Sequence, residues 1–368
     1  MEENTLEEIK MNSAITGSRS PLALLAAFAL VVGACAGTGP TTPPAGTDAD
    51  APSPPASATD DGAASPPASA TDDGAASPPA SGGGGTVDLS GASFTVGSKE
   101  FTEQLILGQI TIQVLEDAGA DVTDQTGITG SATVREALTS EQIDMYWEYT
   151  GTGWINHLGN DTPIPGSEAQ YDAVVEADAA NGIAWLEPAP FNNTYAIAAA
   201  SETATDLGIS SMSELAAYAN ESPGEARLCA ASEFLNRDDG LPGLEEAYGF
   251  EFGPDNVEEL ELGLIPPQVD TGENCNFGEI FATDARVVSL DLTVLEDDAE
   301  FFPSYLPSLN VRQEVLDANP ALAELFAPVA AALDNETITA LNAQVDIDGE
   351  NEADVAAEFL QDAGLVGE

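Results

Sequence analysis

The chain contains 368 residues, of which 64 are acidic and only 8 are lysine or arginine, so its formal net charge at pH 7 is -56. A surface this negative repels phosphate groups, which excludes a nucleic-acid-binding protein and purely electrostatic attachment to an anionic membrane. With three cysteines and one histidine, the chain also lacks the clusters that zinc or copper sites need, and we expect neither a metal nor a cofactor.

The acidic excess favours a saline habitat, because molar salt shortens the Debye length to about 3 Å and screens the self-repulsion of the folded chain. The alternative is an acidic surface that serves only solubility. The chain is long enough for roughly two domains.

The first feature in chain order is an apolar segment of about a dozen residues after Ser20, too short to span a bilayer and typical of a signal peptide. It ends in Val32-Gly33-Ala34-Cys35, which resembles the lipobox of bacterial lipoproteins. The resemblance implies a lipoprotein signal peptide over residues 1–35, with a lipid on Cys35. An ordinary secretory signal with an incidental cysteine is the alternative. The acidic first residues do not fit a positively charged start, which leaves the start codon open between Met1 and Met11.

A low-complexity segment follows the cysteine. Residues 36–85 consist almost wholly of Pro, Ala, Ser, Thr, Gly and Asp, and the unit SPPASATDDGAA occurs at Ser53–Ala64 and again at Ser65–Ala76. Such a segment has no large apolar side chains to offset its ordering entropy. We therefore assign residues 36–91 to a disordered linker.

Strand and helix patterns alternate through the rest of the chain. The pattern predicts strands at 92–97, 143–149, 195–200, 226–230 and 278–283, and an extended segment at 120–126. It predicts helices from Ser98 or Thr102 to 118, at 132–139, 212–219 and 241–248, and in a helical tail from 312 to 365. This alternation indicates the α/β fold class.

Six segments of this region carry a family resemblance. In chain order they are Gly97–Gln104 (GSKEFTEQ), Glu148–Thr152 (EYTGT), Asn193–Ala196 (NTYA), Arg237–Leu244 (RDDGLPGL), Phe281–Asp284 (FATD), and Leu295–Tyr305, which holds LEDD and FPSY. Together they resemble the substrate-binding proteins of ABC importers for glycine betaine, choline and related quaternary ammonium solutes. The resemblance implies a type II periplasmic-binding-protein fold, in which two crossing strands join two lobes around a ligand cleft. We expect the first lobe to comprise 92–193 and 289–368, and the second 194–288.

The resemblance carries an aromatic cage onto Tyr149, Tyr195, Phe281 and Tyr305. A quaternary ammonium group has no N–H to donate, so aromatic faces must hold it. Phe281 stands where the family more usually has tyrosine. The alternative for each ring is core packing, which we expect for Trp147 and Trp154.

The resemblance assigns the carboxylate of a zwitterionic ligand to Lys99 and Arg237, with a hydrogen bond from Thr152. Lys99 is the only lysine beyond Lys10, and it lies at a strand-to-helix turn where an anion is favoured. The alternatives are surface ion pairs, of Lys99 with Glu100 or Glu103 and of Arg237 with Asp238 or Asp239.

Cys229 and Cys275 remain after lipidation, and in an exported protein such a pair predicts a disulfide, with two buried free thiols as the alternative. A catalytic pair with His157 is not expected, because no orienting group is recognisable beside either cysteine.

We therefore expect an extracytoplasmic receptor, anchored to the outer face of the membrane through Cys35, that binds glycine betaine or a relative and delivers it to an ABC permease for osmoprotection. We expect a monomer and no enzyme activity. The alternatives are an enzyme of related cleft fold acting on choline-type esters and a structural surface lipoprotein. The sequence leaves the choice among glycine betaine, choline and carnitine open.

Overall fold

The computed structural model describes residues 87–367, and the predictions for the signal peptide, for Cys35 and for the linker up to residue 86 lie outside them. The strands are β1 (Ser93–Lys99), β2 (Asp121–Ile128), β3 (Met145–Tyr149), β4 (Ile183–Trp185), β5 (Tyr195–Ala200), β6 (Leu228–Ala230), β7 (Val257–Glu259), β8 (Phe277–Phe281), β9 (Leu292–Val294) and β10 (Pro307–Arg312).

The helices alternate with these strands and then follow β10. They are α1 (Thr102–Asp117), α2 (Ser131–Thr139), α3 (Thr150–Thr152), α4 (Ser167–Asp178), α5 (Ser201–Leu207), α6 (Met212–Glu221), α7 (Ser232–Asn236), α8 (Leu241–Tyr248), α9 (Ile265–Thr271), α10 (Arg286–Ser289), α11 (Gln313–Ala318), α12 (Ala321–Ala332), α13 (Asn335–Asp346) and α14 (Glu352–Asp362). A π-helical turn, Gly153–His157, continues α3. Gly119 lies just after the end of α1 and has a φ of 90°. Glycine adopts this left-handed conformation without strain, so the chain can turn away from the helix there.

Two five-stranded sheets organise this part of the chain, with strand orders β2-β1-β3-β10-β4 and β7-β6-β8-β5-β9. Each sheet is mixed, with two parallel and two antiparallel pairs of neighbours, because one strand is antiparallel to both of its neighbours: β10 in the first sheet and β5 in the second. These are the two strands that the chain enters after crossing from the other sheet. We call the first sheet with its helices the first lobe and the second sheet with its helices the second lobe.

Both sheets are covered by apolar side chains on two faces, as expected for sheets of an α/β fold with helices on either side. In β3, Trp147 packs with α1 and the C-terminal helices on one face, whereas Tyr146 packs with α2 and α4 on the other. Trp147 is therefore a core residue, as the sequence predicted, and Trp154 is partly buried against the core that contains Tyr146.

Two connecting segments, 186–194 and 295–306, link the lobes. They hydrogen-bond to each other, since the Asn193 amide donates to the Tyr305 carbonyl at 3.2 Å and the Tyr305 amide donates to Asn192 Oδ1 at 2.7 Å. Both lobes belong to one compact unit.

Two predicted boundaries differ from the structure. The return to the first lobe was expected at Ser289, but β9 pairs with β5 in the second sheet, so the second lobe continues to Val294. The linker was expected to reach residue 91, but Leu89 is buried in the first core and its amide donates to the Ala118 carbonyl at 2.7 Å. The helical tail was predicted from Arg312, which is the last residue of β10, and its first helix, α11, begins one residue later.

Among residues 87–367 no helix is long and apolar enough to cross a membrane. Within the same residues, no group of three or more His, Cys, Asp or Glu side chains is arranged to hold a metal ion.

Candidate ligand-binding cleft

A cavity of about 1010 Å³ lies between the two lobes. This volume is at the upper end of the range for small-molecule sites. All seven residues that the sequence resemblance assigned to the ligand line it: Lys99, Tyr149, Thr152, Tyr195, Arg237, Phe281 and Tyr305.

Strand ends bring these side chains together. Lys99, Tyr149 and Phe281 are the last residues of β1, β3 and β8, and Tyr195 is the first residue of β5. Because β5 is antiparallel to β8, Tyr195 pairs directly with Phe281. Ligands of open α/β sheets bind beyond the carboxyl ends of the strands, which is where this cavity lies.

The aromatic rings of the cavity form a continuous cluster. The ring centroids of Tyr195 lie 5.2 Å from Phe281 and 5.5 Å from Tyr305, the latter pair edge to face. Phe101 connects Tyr149 to this group, at 6.3 Å from Tyr149 and 5.1 Å from Phe281. Sequence reasoning used Phe101 only as an apolar helix position, although it lies two residues after Lys99 in the first family segment.

Lys99 is buried and forms an ion pair inside the cavity wall. Its Nζ lies 2.7 Å from Glu148 Oε1 and 5.0 Å from the centroid of the Tyr149 ring. The surface pairing with Glu100 or Glu103 that the sequence left open is not present in residues 87–367, where the lysine's salt bridge is to Glu148.

Glu148 is fully buried, and its carboxylate has four polar partners. Besides Lys99, its carboxylate accepts from the Tyr146 hydroxyl at 2.9 Å and the Tyr149 amide at 2.7 Å, and it lies 2.8 Å from His157 Nε2. Burial opposes its ionisation, but the charge of Lys99 and the contact with His157 outweigh burial and lower the pKa of Glu148 far below its usual range. Glu148 is therefore ionised where it pairs with Lys99.

Arg237 is also paired before any ligand arrives. It donates to both carboxylate oxygens of Asp239, at 2.8 Å and 2.5 Å, and to Glu233 at 2.6 Å. The pairing with Asp239 is one of the alternatives that the sequence left open. The Arg237 guanidinium also lies 5.4 Å from the centroid of the Tyr195 ring.

The lobes touch each other across the mouth of the cavity. Arg237 donates to Thr152 Oγ1 at 3.2 Å, and the Asn156 amide group donates to Asp239 at 3.2 Å. The backbone amide and hydroxyl of Ser131, at the start of α2, donate to Glu233 at 3.0 Å and 2.7 Å. Polar contacts between the lobes therefore surround the cavity.

A second buried carboxylate, Glu103, joins the lobes at the back of the cavity. It accepts hydrogen bonds from Tyr149 at 2.7 Å, Asn193 at 2.8 Å and Thr283 at 2.7 Å, with Asn342 at 3.4 Å. Burial raises the pKa of Glu103, and the hydrogen bonds oppose that rise. The network ties the first lobe, one connecting segment and the second lobe to one side chain.

The cysteines lie elsewhere. Cys229 and Cys275 are joined by a disulfide in the second lobe, with their Cα atoms 5.6 Å apart, and both are fully buried. Neither lines the cavity, whereas His157 does. The structure therefore does not bring Cys229 or Cys275 together with the histidine.

Sequence reasoning missed three carboxylates around the predicted ligand residues, Glu148, Glu233 and Glu279, and it named Glu103 and Asp239 only as possible ion-pair partners. In a chain with 64 acidic residues a single carboxylate carries no signal of its own. Three of the five carboxylates nevertheless lie inside the quoted segments: Glu103, Glu148 and Asp239.

A family model for the substrate-binding domain of ABC-type glycine betaine transport systems matches residues 92–362. The glycine-betaine-binding protein of Pseudomonas aeruginosa is 40% identical over 276 residues, which are 74% of this chain and 88% of the relative. The glycine betaine-binding protein YehZ of Escherichia coli is 36% identical over 275 residues, 73% of this chain and 90% of the relative. The solved structure of apo YehZ is similar with a TM-score of 0.56 at 34% identity, over 74% of this chain and 99% of that chain. These likenesses confirm the two-lobed α/β fold.

Proposed function

Since the chain belongs to the substrate-binding proteins of ABC importers for glycine betaine, we propose that it is an extracytoplasmic receptor that binds glycine betaine, or a related quaternary ammonium solute, between its lobes. It delivers the solute to a membrane permease for osmoprotective uptake. The family consists of solute-binding proteins and not of enzymes, so the choline-ester hydrolase alternative has no support.

The observation that carries this proposal is the convergence of aromatic rings from both lobes and from the connecting segment 295–306 on one cavity. Tyr149 belongs to the first lobe, yet its ring packs with Tyr195 and Tyr305 in the apolar cluster of the second lobe. Aromatic faces attract a cation that cannot form hydrogen bonds, and desolvation strengthens the attraction to about 2 kcal/mol for each favourable contact. A trimethylammonium group fits this chemistry.

The carboxylate of the ligand has a separate partner in this proposal. An ammonium group has three N–H donors, and Lys99 directs one of them to Glu148. The other donors, together with the hydroxyl of Thr152 and the guanidinium of Arg237, serve the carboxylate end of a zwitterion. Glu148 and Asp239 neutralise the two cations without removing them from the cavity wall.

The proposal includes the anchor predicted from the sequence. A lipid on Cys35 holds the receptor at the outer face of the membrane, and the linker keeps the folded part close to its permease. The receptor acts as a monomer in this proposal, because the ligand site is formed by residues of a single chain.

A calorimetric titration of the full chain tests this function, with glycine betaine, choline and carnitine as separate ligands in molar salt. We expect one saturable site and the tightest binding for glycine betaine. Failure of all three ligands to bind would contradict the proposal. Release of free choline from a choline ester would instead support the hydrolase alternative.

A further inference from the structure

Glu279 is a carboxyl group on the cavity wall that the proposed site leaves without a role. It lies on β8, two residues before Phe281, so the two side chains project from the same face of the strand. It pairs across the sheet with Ile197, which is two residues after Tyr195 on β5. Glu279 therefore lies beside the two rings that the second lobe contributes to the aromatic cluster.

The Glu279 side chain is buried, and one of its two carboxyl oxygens has a hydrogen-bond partner. Glu279 is 2% exposed and lines the cavity. Its Oε2 accepts the Ala231 backbone amide at 2.7 Å, and within residues 87–367 its Oε1 accepts no hydrogen bond. Since Glu279 lines the cavity and this oxygen is not sealed inside the protein, a bound ligand can reach it with a hydrogen-bond donor.

Charged and titratable groups face Glu279 from two elements. Glu233 and Arg237 approach from α7 and the residue after it, and the hydroxyl of Tyr195 approaches from β5. The donors of Arg237 are directed to Asp239, Glu233 and Thr152, and not to Glu279. Burial raises the pKa of Glu279 to about 8, with the negative charge of Glu233 acting in the same direction and the Ala231 amide and Arg237 opposing it.

The number of methyl groups on an ammonium ligand decides whether it can use this oxygen. A quaternary ammonium has no N–H, whereas a protonated tertiary amine has one and keeps the same positive charge. An N–H donated to a carboxylate forms a charge-assisted hydrogen bond, about twice as strong as a neutral one. Aromatic faces attract both ligands, so the carboxylate is the group that distinguishes them.

We propose that Glu279 is a specificity-determining residue that extends the ligands of this cleft to tertiary ammonium zwitterions, whose N–H it accepts at Oε1. N,N-dimethylglycine, the tertiary analogue of glycine betaine, is the probe for this class. The inference rests on the proposed function, because it needs the aromatic cluster to receive the ammonium group.

The proposal predicts a pH dependence with a definite sign. Below about pH 8 the Glu279 carboxyl is largely protonated and cannot accept the N–H as a carboxylate. At higher pH it ionises and gains the charged hydrogen bond with the tertiary ligand. Glycine betaine gains only the longer-range attraction of the charge, so the affinity ratio of dimethylglycine to betaine rises with pH.

The experiment measures both affinities by calorimetry on the full chain in molar salt, at about pH 6.5 and about pH 8.5, where the tertiary amine stays protonated. For the unaltered protein we expect the affinity ratio to rise about tenfold between these values, as the fraction of ionised carboxylate increases. Glu279→Gln keeps the shape of the side chain but cannot ionise, and its ratio is expected to stay constant within about twofold. Glu259→Gln is the matched control, because Glu259 is an exposed carboxylate that lines the same cavity.

Binding of glycine betaine distinguishes a failure of the Glu279 assignment from a failure of the proposed function. Betaine binding by Glu279→Gln shows that the variant is folded and that the proposed function holds. If betaine binds while dimethylglycine does not, or if the ratio in the unaltered protein does not change with pH, the assignment of Glu279 is overturned and the proposed function stands. If Glu279→Gln keeps the same rise as the unaltered protein, the assignment is likewise overturned. If neither ligand binds the unaltered protein, both proposals fail.

Discussion

The ammonium group of Lys99 lies 2.7 Å from the carboxylate of Glu148, and both side chains are buried. The only lysine after residue 10 is therefore neutralised by the protein itself, at the end of β1 where the positive end of α1 would otherwise repel it. A ligand carboxylate has to share this lysine with Glu148. The difference in affinity between a zwitterion such as glycine betaine and a simple cation such as choline measures how strongly the ligand carboxylate interacts with Lys99.

Lys99→Ala is expected to weaken glycine betaine binding by about 1.5 to 3 kcal/mol, the range for a hydrogen bond to a charged group. Choline has no carboxylate, so its binding should fall less or even improve. Titrations of both ligands measure the difference, and Arg312→Ala, an ion-pair variant away from the cavity, should leave both affinities unchanged. Equal losses for the two ligands would show that Lys99 does not bind the carboxylate.

Arg237→Ala should also weaken glycine betaine more than choline. The stability of this variant must be measured too, because the change leaves the buried Asp239 without its ion-pair partner.

Tyr149→Ala is expected to weaken glycine betaine and choline alike, by about 1 to 2 kcal/mol, because both carry the same trimethylammonium group. The same titrations measure this effect. Tyr171→Ala is the control, since Tyr171 is a partly buried tyrosine of the first lobe that does not line the cavity. A loss confined to one of the ligands would contradict a shared aromatic site.

Ser131→Ala removes the hydroxyl that donates to Glu233 from across the cleft. We expect the ligand-free protein to open, which increases its radius of gyration in small-angle scattering, and betaine binding to weaken by about 0.5 to 1.5 kcal/mol. Saturating betaine should compact the unaltered protein. Ser140→Ala is the control, because that exposed hydroxyl donates within its own lobe to the Glu136 carbonyl. Identical scattering of the two variants would contradict the prediction that the hydrogen bond from Ser131 to Glu233 helps to keep the lobes together.

Cys35→Ala is expected to release the protein from membranes, because the proposed lipid on Cys35 is its hydrophobic anchor and the acidic chain has no electrostatic substitute. Fractionation of cells that express the variant measures the released protein. Deletion of the two SPPASATDDGAA repeats should leave both anchoring and betaine affinity unchanged. Retention of Cys35→Ala in the membrane fraction would contradict the lipid assignment.

Replacing Cys229 and Cys275 together by alanine removes a disulfide that joins residues 46 positions apart. The free energy of unfolding should fall by about 2 to 4 kcal/mol, because the unfolded chain gains entropy. Denaturant unfolding in molar salt measures this loss. Betaine affinity should change by less than about twofold, since neither cysteine lines the cavity. A large loss of affinity without a loss of stability would contradict this separation of roles.

The sequence by itself determined the fold class, the family and seven of the residues that line the cleft. Hydrophobic periodicity of two or of about 3.6 residues is a local property, so strands such as β5 and helices such as α8 could be predicted from short windows. Lys99, Tyr149 and Tyr195 could be named because they lie in short segments whose order along the chain resembles a family. Short elements such as β4, β7 and β9 have too few residues to show a period, and β10 lies in a segment that was not assigned as a strand.

Only the tertiary structure decided which charges meet. Lys99 and Glu148 are 49 residues apart, and Arg237 meets Thr152 across 85 residues. In a chain with 64 carboxylates, sequence spacing cannot select the few that become buried, because their pairing depends on strand order and on the approach of the two lobes. Burial is also what raises the pKa of Glu279 to about 8. The loss of solvent around a side chain is a property of the packed molecule, and no local pattern of residues determines it.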